Sequence, residues 1–190
     1  MEFDKIIKEF KKILDDLFIF KLETFNKIIQ LLIECLEAGG KILIFGNGGS
    51  AAQSQHFAAE LVNKFYKERQ AFDVLSLTTD TSILTSVSND ISFDFIFSRQ
   101  IEAFGKQGDI AMGLSTSGNS LNIIEAMKVA KEKRMRTIAL TGNKGGKVSS
   151  FAEFLIDVPS TNVARIQEIH LVLLHIMAQE IENKLSYNKK

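Results

Sequence analysis

The sequence predicts an α/β protein with a parallel, mainly five-stranded sheet, covered by helices on both faces and preceded by two N-terminal helices. Two observations lead to this prediction. The first forty residues place their apolar side chains at helical spacing. From Lys41 onwards, short apolar runs alternate with helical segments. Each run is apolar on both faces, which is typical of strands in a buried parallel sheet.

The N-terminal helices are predicted from two apolar stripes. The first stripe consists of Phe3, Ile6, Ile7, Phe10, Ile13, Leu14 and Leu17. The second consists of Phe25, Ile28, Ile29, Leu32 and Leu36. Gly39 and Gly40 follow, and glycines at this position favour the end of a helix. We interpret residues 1–40 as a helical hairpin that serves packing and oligomerisation, ahead of an α/β core over residues 41–185.

Five short runs are the predicted strands of the core. They are "ILIF" at 42–45, "VLSL" at 74–77, "IAMGL" at 110–114, "TIAL" at 137–140 and "FLIDV" at 154–158. The last helix is predicted over 164–183. A chain of 190 residues with a single proline has no proline-rich linker and no repeat, so we expect one domain over residues 1–190.

Charge and cysteine content exclude several classes of partner. The 23 Lys and Arg residues balance the 23 Asp and Glu residues, so we expect neither nucleic acid nor membrane as a partner. A single cysteine, Cys35, cannot form an intrachain disulfide and favours a reducing compartment. No apolar run approaches the roughly 20 residues of a membrane span, and the charged N-terminus lacks a signal-peptide pattern. We therefore expect a cytoplasmic protein.

Two turns rich in glycine and hydroxyl groups follow predicted strands. "GNGGSA" begins at Gly46, and "STSGNS" begins at Ser115. Both lead into helices, where free backbone N–H groups and the helix dipole favour an anion outside the carboxyl ends of the strands. We predict that four hydroxyls of the second turn bind phosphate: those of Ser115, Thr116, Ser117 and Ser120. The alternative is that these residues only cap a helix, while Gly118 relieves a turn.

The first turn also matches a loose dinucleotide-binding fingerprint. That fingerprint requires an acidic residue about 20 positions later, at the end of the second strand, to bind the ribose hydroxyls. Here Asp73 precedes the second strand, and Asp80 follows Gly46 by more than thirty positions. The sequence therefore argues against a nicotinamide cofactor.

All three histidines lie on two predicted helices. His56 and Glu60 are four residues apart, a spacing that lets two side chains hold one metal ion or share one proton path. Near the C-terminus, "RIQEIHLVLLH" places Gln167, His170 and His175 on an otherwise apolar helix. Gln167 and His175 are separated by about 12 Å along a helix and by about 80° around it. One ion bound by both would strain their reach, which favours a site built from two chains. The alternative is that His170 and His175 are structural histidines of a core or an interface.

Six segments together carry a resemblance to a known family. They are "GNGGSA", "QHFAAEL", "VSND", "GLSTSGNS", "ALTGNKGGK" and "RIQEIHLVLLH". In this order and spacing, and over essentially the full length, the chain resembles the phosphoheptose isomerases of the sugar isomerase (SIS) domain family. The resemblance implies a three-layer α/β/α domain and a homotetramer whose active sites lie between subunits.

The resemblance also implies an activity. It is the isomerisation of D-sedoheptulose 7-phosphate to D-glycero-D-manno-heptose 7-phosphate through an enediol. This is the first step of nucleotide-activated heptose biosynthesis for lipopolysaccharide core or capsule. Such a reaction needs a base and a group that moves protons between oxygens, roles that a carboxylate and a histidine can fill. A metal ion can stabilise the charge of the enediolate.

The family's site residues can be carried over by position. The implied substrate contacts are Asn47, Gly48, Gly49, Glu60, Asn89, Asp90, Ser115, Thr116, Ser117, Ser120 and Gln167. The implied ligands of one zinc ion per subunit are His56, Glu60, Gln167 and His175. The implied catalytic pair is Glu60, as the base, and His175, as the acid and proton relay.

Two departures from the family pattern concern the site. Many relatives carry Gly-Arg where this chain has Asn63 and Lys64, and lysine keeps the charge but not the bidentate fork of arginine. Some relatives carry an aspartate with a proposed catalytic role where this chain has Ala164.

A second reading is a non-catalytic regulator of the same fold that binds the replication initiator DnaA. The segments "AAELVNKF", "TTD" and "PSTNVARIQEIH" resemble that branch as well. However, the regulators typically replace one serine of the phosphate loop with arginine and lack the last histidine. This chain keeps Ser117 and His175, which favours the isomerase.

Overall fold

The computed structural model describes residues 2–186 and consists of six helices and five strands. The helices are α1 (Glu2–Glu37), α2 (Gly49–Val62), α3 (Thr81–Asp90), α4 (Ser98–Phe104), α5 (Leu121–Glu132) and α6 (Val163–Leu185). The strands are β1 (Ile42–Gly46), β2 (Val74–Ser76), β3 (Ile110–Ser115), β4 (Arg136–Thr141) and β5 (Phe154–Asp157). Each predicted strand is present, with bounds within two residues of those expected.

The strands form one parallel sheet in the order β2-β1-β3-β4-β5. All four neighbouring pairs are parallel, and the register pairs Ile42 of β1 with Val74 of β2 and with Ile110 of β3. Every residue of β1 and β3 is buried, which explains why these strands are apolar on both faces. The predicted parallel five-stranded sheet is therefore confirmed.

Helices cover both faces of the sheet. Alternate residues of β1 point to opposite sides: Ile42 and Ile44 belong to the core beneath α1, α2 and α6, whereas Leu43 and Phe45 belong to the core beneath α3, α4 and α5. This arrangement confirms the three-layer α/β/α fold. No helix in the described part of the chain is both long and apolar enough to cross a membrane.

The N-terminal region is helical, but the predicted hairpin is wrong. A single continuous helix, α1, extends over 36 residues. The buried residues Leu17, Phe25 and Ile28 and the partly buried Lys21 lie on one stripe, with a continuous i, i+4, i+8, i+11 spacing. The side chain of Lys21 forms an ion pair with Asp157 at 2.6 Å. This pair lets a charged residue occupy the stripe, and no glycine or proline breaks the helix at this point.

Part of α1 extends beyond what the sheet covers. A helix of this length measures about 54 Å. Large apolar side chains remain exposed near its start and middle: Phe3 by 66%, Ile19 by 73% and Phe20 by 77%. Exposed apolar side chains on one long helix are typical of a surface that contacts another protein.

His170 is a buried structural histidine, which is the alternative that the sequence left open for this residue. Its side chain on α6 is fully buried, and its Nε2 lies 3.1 Å from the backbone carbonyl oxygen of Thr141, to which it donates, at the end of β4. Its Nδ1 has no hydrogen-bond partner among the described residues. Burial lowers the pKa of His170 to about 4, although the hydrogen bond to Thr141 opposes that effect. The imidazole is therefore neutral at physiological pH.

This histidine gives stability a dependence on pH. Since the pKa of His170 falls from its ordinary value of 6.5 to about 4 in the folded chain, the unfolded chain binds the proton first as the pH falls. The contribution of neutral His170 to the free energy of unfolding is complete above about pH 6.5. It is lost progressively towards pH 4, to a total of about 3 kcal/mol. We expect His170→Gln to remove this part of the pH dependence. Urea unfolding followed by far-UV circular dichroism between pH 4.5 and 8 measures it.

The comparison requires metal-free protein, so that loss of a bound ion does not contribute to the slope. The variant is less stable at pH 8, because its buried site is altered, but its free energy of unfolding should fall less steeply below pH 6.5. Equal slopes in both proteins would contradict the assignment of a neutral, buried His170.

Candidate active site

The two glycine-containing turns meet at the point where the strand order reverses. "GNGGSA" follows β1 and "STSGNS" follows β3, and these two strands are neighbours in the sheet. In open parallel sheets of this order, the crevice between the strands on either side of the reversal is the usual ligand site. The topology therefore places both turns at the edge of one cleft.

The first turn brings the backbone close to α6. Gly48 has a positive φ of 56° and precedes α2, which begins without a side-chain cap. A Cβ atom on Gly49 would lie 2.6 Å from Nε2 of Gln167. Any larger residue would displace the end of the Gln167 side chain, so the glycine allows this side chain to pack against the start of α2. The N–H groups of Ser50 and Ala51 donate to the carbonyls of Asn47 and Gly48, which closes the turn, and the positive end of the α2 dipole favours an anion beside it.

The second turn is held by its own hydroxyl groups. The Ser115 hydroxyl accepts a hydrogen bond from the backbone N–H of Gly118 at 3.1 Å and lies 3.2 Å from the Ser120 hydroxyl. The Ser117 hydroxyl accepts from the backbone N–H of Asn119 at 3.1 Å. Ser120 precedes α5 but makes no side-chain cap bond, which leaves the first N–H groups of α5 free. A phosphate can accept hydrogen bonds from these groups.

A loop that contains Gly145 and Gly146 packs against the second turn, "STSGNS", which is called the phosphate turn from here on. A Cβ atom on Gly118, whose φ is 65°, would lie 2.0 Å from the carbonyl oxygen of Gly145. A Cβ atom on Gly146 would lie 2.5 Å from the carbonyl oxygen of Ser117. In addition, the backbone N–H of Val148 donates to the Gly118 carbonyl at 2.9 Å. The two loops fit together only because neither has side chains at these positions.

A pair of asparagines joins the two turns. The side-chain amides of Asn47 and Asn122 exchange two hydrogen bonds, each of 2.9 Å. Asn122 is 2% exposed, in the first turn of α5. The sequence prediction did not include Asn122. A polar residue in the first turn after the phosphate loop was the available signal, but its partner 75 positions away has no local pattern.

Three of the predicted metal ligands come together within one chain. Nε2 of His56 and Nε2 of His175 lie 2.8 Å apart, so that one ring nitrogen donates to the other. Nε2 of His56 lies 3.3 Å from Oε1 of Glu60. One ligand atom from each residue of this triad lies within 4.8 Å of the other two. The triad joins the middle and end of α2 to the centre of α6.

The geometry of the triad fits a zinc ion. In a tetrahedral zinc site with bonds of about 2.0–2.1 Å, neighbouring ligand atoms lie about 3.3 Å apart. The separation between His56 and Glu60 is 3.3 Å, that between the two imidazoles is shorter at 2.8 Å, and the remaining pair lies within 4.8 Å, so small side-chain movements would suffice. Two imidazoles and a carboxylate are also ligand types that zinc prefers. The His56 side chain is 45% exposed, so an ion can reach the site from solvent.

Gln167 lies at the other end of the same helix pair. Its side chain packs against Gly49, and its backbone carbonyl accepts a hydrogen bond from Nε2 of Gln53 at 2.6 Å. Within one chain, the structure therefore places Gln167 beside the glycine turn and His175 beside His56. That Gln167 also binds the metal stays a prediction.

Asn89 and Asp90 end α3, the helix that follows the edge strand β2. Both are exposed, and Nδ2 of Asn89 donates to Oδ1 of Asp90 at 2.7 Å. The described hydrogen bonds do not join them to either turn. Their predicted contact with substrate therefore stays a prediction.

The departures noted in the sequence also have a place in the structure. Lys64 follows α2 and forms an exposed ion pair with Glu68. Ala164 lies exposed in the first turn of α6, where its backbone N–H donates to the Asn162 side chain at 3.1 Å.

Comparisons with known proteins agree with this fold and cleft. The family model of the SIS domain matches residues 6–142. A phosphoheptose isomerase of Campylobacter jejuni is 51% identical over 156 residues, which cover 82% of this chain and 84% of the relative. The chain belongs to the SIS domain family of phosphoheptose isomerases.

Solved structures support the same family. The phosphoheptose isomerase of Neisseria gonorrhoeae superimposes with a TM-score of 0.90 at 42% identity, over 96% of this chain and 97% of that one. The phosphoheptose isomerase of Francisella tularensis gives a TM-score of 0.85 at 35% identity, over 96% and 99% of the two chains. The fold that the sequence resemblance implied is therefore confirmed over nearly the whole chain.

The contact between the two glycine loops gives a prediction for phosphate binding. We expect Gly118→Ala to weaken binding of inorganic phosphate by about tenfold or more, because the new methyl group forces the phosphate turn away from Gly145. Isothermal titration calorimetry with inorganic phosphate measures the change.

Gly39→Ala is the matched control. Gly39 also has a positive φ, 77°, but a Cβ atom there would meet nothing within 4 Å. Both variants carry the backbone strain of a left-handed alanine, about 1–2 kcal/mol. Only Gly118→Ala should lose phosphate affinity, and an equal loss in both would count against the proposed contact.

Proposed function

We propose that this chain isomerises D-sedoheptulose 7-phosphate to D-glycero-D-manno-heptose 7-phosphate, the first step of nucleotide-activated heptose biosynthesis. The observation that carries the proposal is the triad of His56, Glu60 and His175. His56 and Glu60 lie on α2, the helix that begins at the glycine turn, and His175 lies on α6. The phosphate turn follows β3, the strand next to β1. The related phosphoheptose isomerases add support from sequence and fold.

Substrate binding uses the two turns. The phosphate group accepts hydrogen bonds from the hydroxyls of Ser115, Thr116, Ser117 and Ser120 and from the free N–H groups of α5. The glycine turn and Asn47 hold the sugar hydroxyls close to the backbone. The amide pair with Asn122 occupies one edge of the Asn47 carboxamide, so its remaining N–H and lone pair point to the substrate. Asn89, Asp90 and Gln167 complete the proposed contacts.

The reaction moves one hydrogen from C1 to C2 and one proton from the C1 oxygen to the C2 oxygen. The carboxylate of Glu60 takes a proton from C1 of the ketose while His175 donates a proton to the carbonyl oxygen on C2, which gives an enediol. His175 then takes the proton of the C1 hydroxyl, and Glu60 returns its proton to C2. The aldehyde forms at C1, and both side chains regain their starting state. A base and an acid in these positions typically contribute about 10²- to 10⁴-fold each.

A zinc ion would be held by His56, Glu60 and His175, and we propose Gln167 as its fourth ligand. Bound there, it supplies a positive charge that stabilises the enediolate oxygens. Glu60 has two carboxylate oxygens, and its Oε1 lies 3.3 Å from His56 Nε2. We propose that the other oxygen, or Glu60 after loosening from the ion, takes the proton.

We propose that the chain is one cytoplasmic domain that works as a homotetramer with active sites at subunit interfaces. The exposed apolar side chains of α1, such as Ile19 and Phe20, support an interface with another copy. The exposure of His56 in the single chain supports completion of the site by a partner. The retained Ser117 and His175 support the isomerase over the regulator that binds DnaA.

The role of Glu60 can be tested by a conservative change. We expect Glu60→Gln to lower kcat by about 10²- to 10⁴-fold, because the amide cannot accept a proton from carbon. NMR of purified protein with sedoheptulose 7-phosphate follows the ketose and aldose signals together. Glu68→Gln is the control, since Glu68 is exposed and pairs only with Lys64 among the described ion pairs. Near wild-type turnover by folded Glu60→Gln would exclude Glu60 as the base.

Removal of metal tests the role of zinc. We expect the purified chain to retain about one zinc ion per subunit, since the triad supplies three ligands. Treatment with a chelator should lower turnover while circular dichroism stays unchanged, and added zinc should restore it. Full turnover by metal-free protein would contradict the metal assignment. An unchanged ketose signal in the zinc-loaded protein, together with capture of DnaA, would instead favour the regulator.

A further inference from the structure

A buried ion pair joins Glu182, which follows the triad on α6, to Arg69 in the segment after α2. Nε of Arg69 donates to Oε1 of Glu182 at 3.1 Å, and the two side chains are 4% and 1% exposed. A buried ion pair adds little net stability by itself, because the loss of hydration offsets the attraction between the charges. The other hydrogen bonds of these two side chains indicate what the pair does.

Glu182 holds the loop that follows α2. Its carboxylate accepts hydrogen bonds from three successive backbone N–H groups, those of Phe65 at 2.9 Å, Tyr66 at 2.7 Å and Lys67 at 3.0 Å. Burial raises the pKa of Glu182, but these N–H groups and the Arg69 guanidinium together lower it below its ordinary value. One ionised carboxylate therefore fixes three peptide units in a segment without regular structure.

Arg69 connects the same loop to the end of α2. Its Nη2 donates to the backbone carbonyl of Glu60 at 2.9 Å, and its Nη1 donates to that of Leu61 at 2.8 Å. The last carbonyls of a helix lack partners within the helix, and α2 ends at Val62. The guanidinium thus caps α2 at the residue that carries the proposed catalytic carboxylate.

The loop also contacts the other half of the triad. The ring of Phe65 lies 5.8 Å from the imidazole of His175, measured between ring centroids. Glu182 follows His175 by seven residues, which returns to within about 20° of the same side of a helix. One network therefore contacts the backbone of Glu60 on α2 and the ring of His175 on α6.

We infer that Arg69 and Glu182 are positioning residues, which hold the Glu60 carboxylate and the His175 imidazole at the separation needed to bind a metal ion. This inference rests on the proposed function, since that function gives the metal ion its role in catalysis. Metal sites tolerate displacements of only about 0.5 Å in their ligands. Without the network, the last turn of α2 loses its cap and Phe65 loses its fixed position against His175.

The test compares two neutralised carboxylates in the full-length chain. We expect Glu182→Gln to weaken Co²⁺ binding by about 10- to 100-fold, the usual effect of losing a residue that supports a metal ligand. Titration of metal-free protein with Co²⁺, followed by visible absorption, measures the affinity without any substrate. The intensity and position of the Co²⁺ bands also report a change in ligand geometry.

Asp109→Asn is the matched control. Asp109 is 3% exposed. Like Glu182, its carboxylate accepts hydrogen bonds from backbone N–H groups, those of Lys41 and Lys106, and from one cation, the Lys41 ammonium. It lies at the start of β3, at the opposite end of the sheet from the triad. We expect both variants to lose stability and only Glu182→Gln to lose Co²⁺ affinity. Equal losses, or wild-type affinity in Glu182→Gln, would overturn the inference.

A milder variant covers the case in which Glu182→Gln does not fold. Arg69→Lys keeps a charge beside Glu182 but cannot reach the Glu60 and Leu61 carbonyls at the same time. We expect a smaller, measurable loss of Co²⁺ affinity in this variant. Wild-type affinity in folded Arg69→Lys would show that the cap on α2 does not position the site.

Failure of the proposed function gives a different result. A wild-type chain that binds Co²⁺ but converts no sedoheptulose 7-phosphate counts against the isomerase and leaves the positioning role open to measurement. A wild-type chain that binds no Co²⁺ overturns the inference, whether or not it converts sedoheptulose 7-phosphate, because no metal site would then be there to position.

Discussion

The packing of α2 along α6 is the contact on which the active site depends. The two helices lie on the same face of the sheet, and residues more than a hundred positions apart meet between them. At one end, Gly49 lets the side chain of Gln167 approach to van der Waals distance. Towards the other end, His56 meets His175 at hydrogen-bond distance. A change in this packing would alter the glycine turn and the triad together.

The proposed recognition of phosphate does not depend on a net positive charge. The formal net charge of the chain is zero, so no long-range field attracts an anion. We expect partial charges at the starts of α2 and α5 to take that role, because both helices begin without a side-chain cap. Recognition of this kind depends on direction and close approach. It therefore requires the glycines and the hydrogen-bonded serines that give the turns a fixed shape.

The sequence was most informative where burial or local geometry determines the structure. The five strands could be predicted because strands buried on both faces must be apolar throughout. The spacing of His56 and Glu60 indicated a shared site because a helix brings such residues to one side. The hairpin was wrong because Lys21 interrupts an apolar stripe that is continuous in the structure. The ion pair with Asp157, which makes Lys21 acceptable there, joins segments too distant for any local pattern.

The residues around the site were harder to predict for the same reason. Asn122, Arg69 and Glu182 act through hydrogen bonds to backbone or amide groups, and those of Asn122 and Glu182 reach partners 75 and 117 positions away. A backbone carbonyl or N–H is present at every residue, so the sequence gives no sign of which one a side chain will bind. Only the fold decides these pairs. The resemblance to known isomerases supplied the ligand roles but not the groups that support them.

The contact between the phosphate turn and the loop behind it has a consequence for how the chain can evolve. Gly118 and Gly146 face each other across this contact: a Cβ atom on Gly118 would lie 2.9 Å from Cα of Gly146, and a Cβ atom on Gly146 would lie 2.6 Å from the carbonyl carbon of Gly118. The atoms that such a side chain would meet belong to the backbone, so a change of rotamer cannot make room for it and one of the two loops has to move. We therefore expect these two positions to change only together with the path of a loop. Changes in substrate preference are expected instead at the residues that line the cleft.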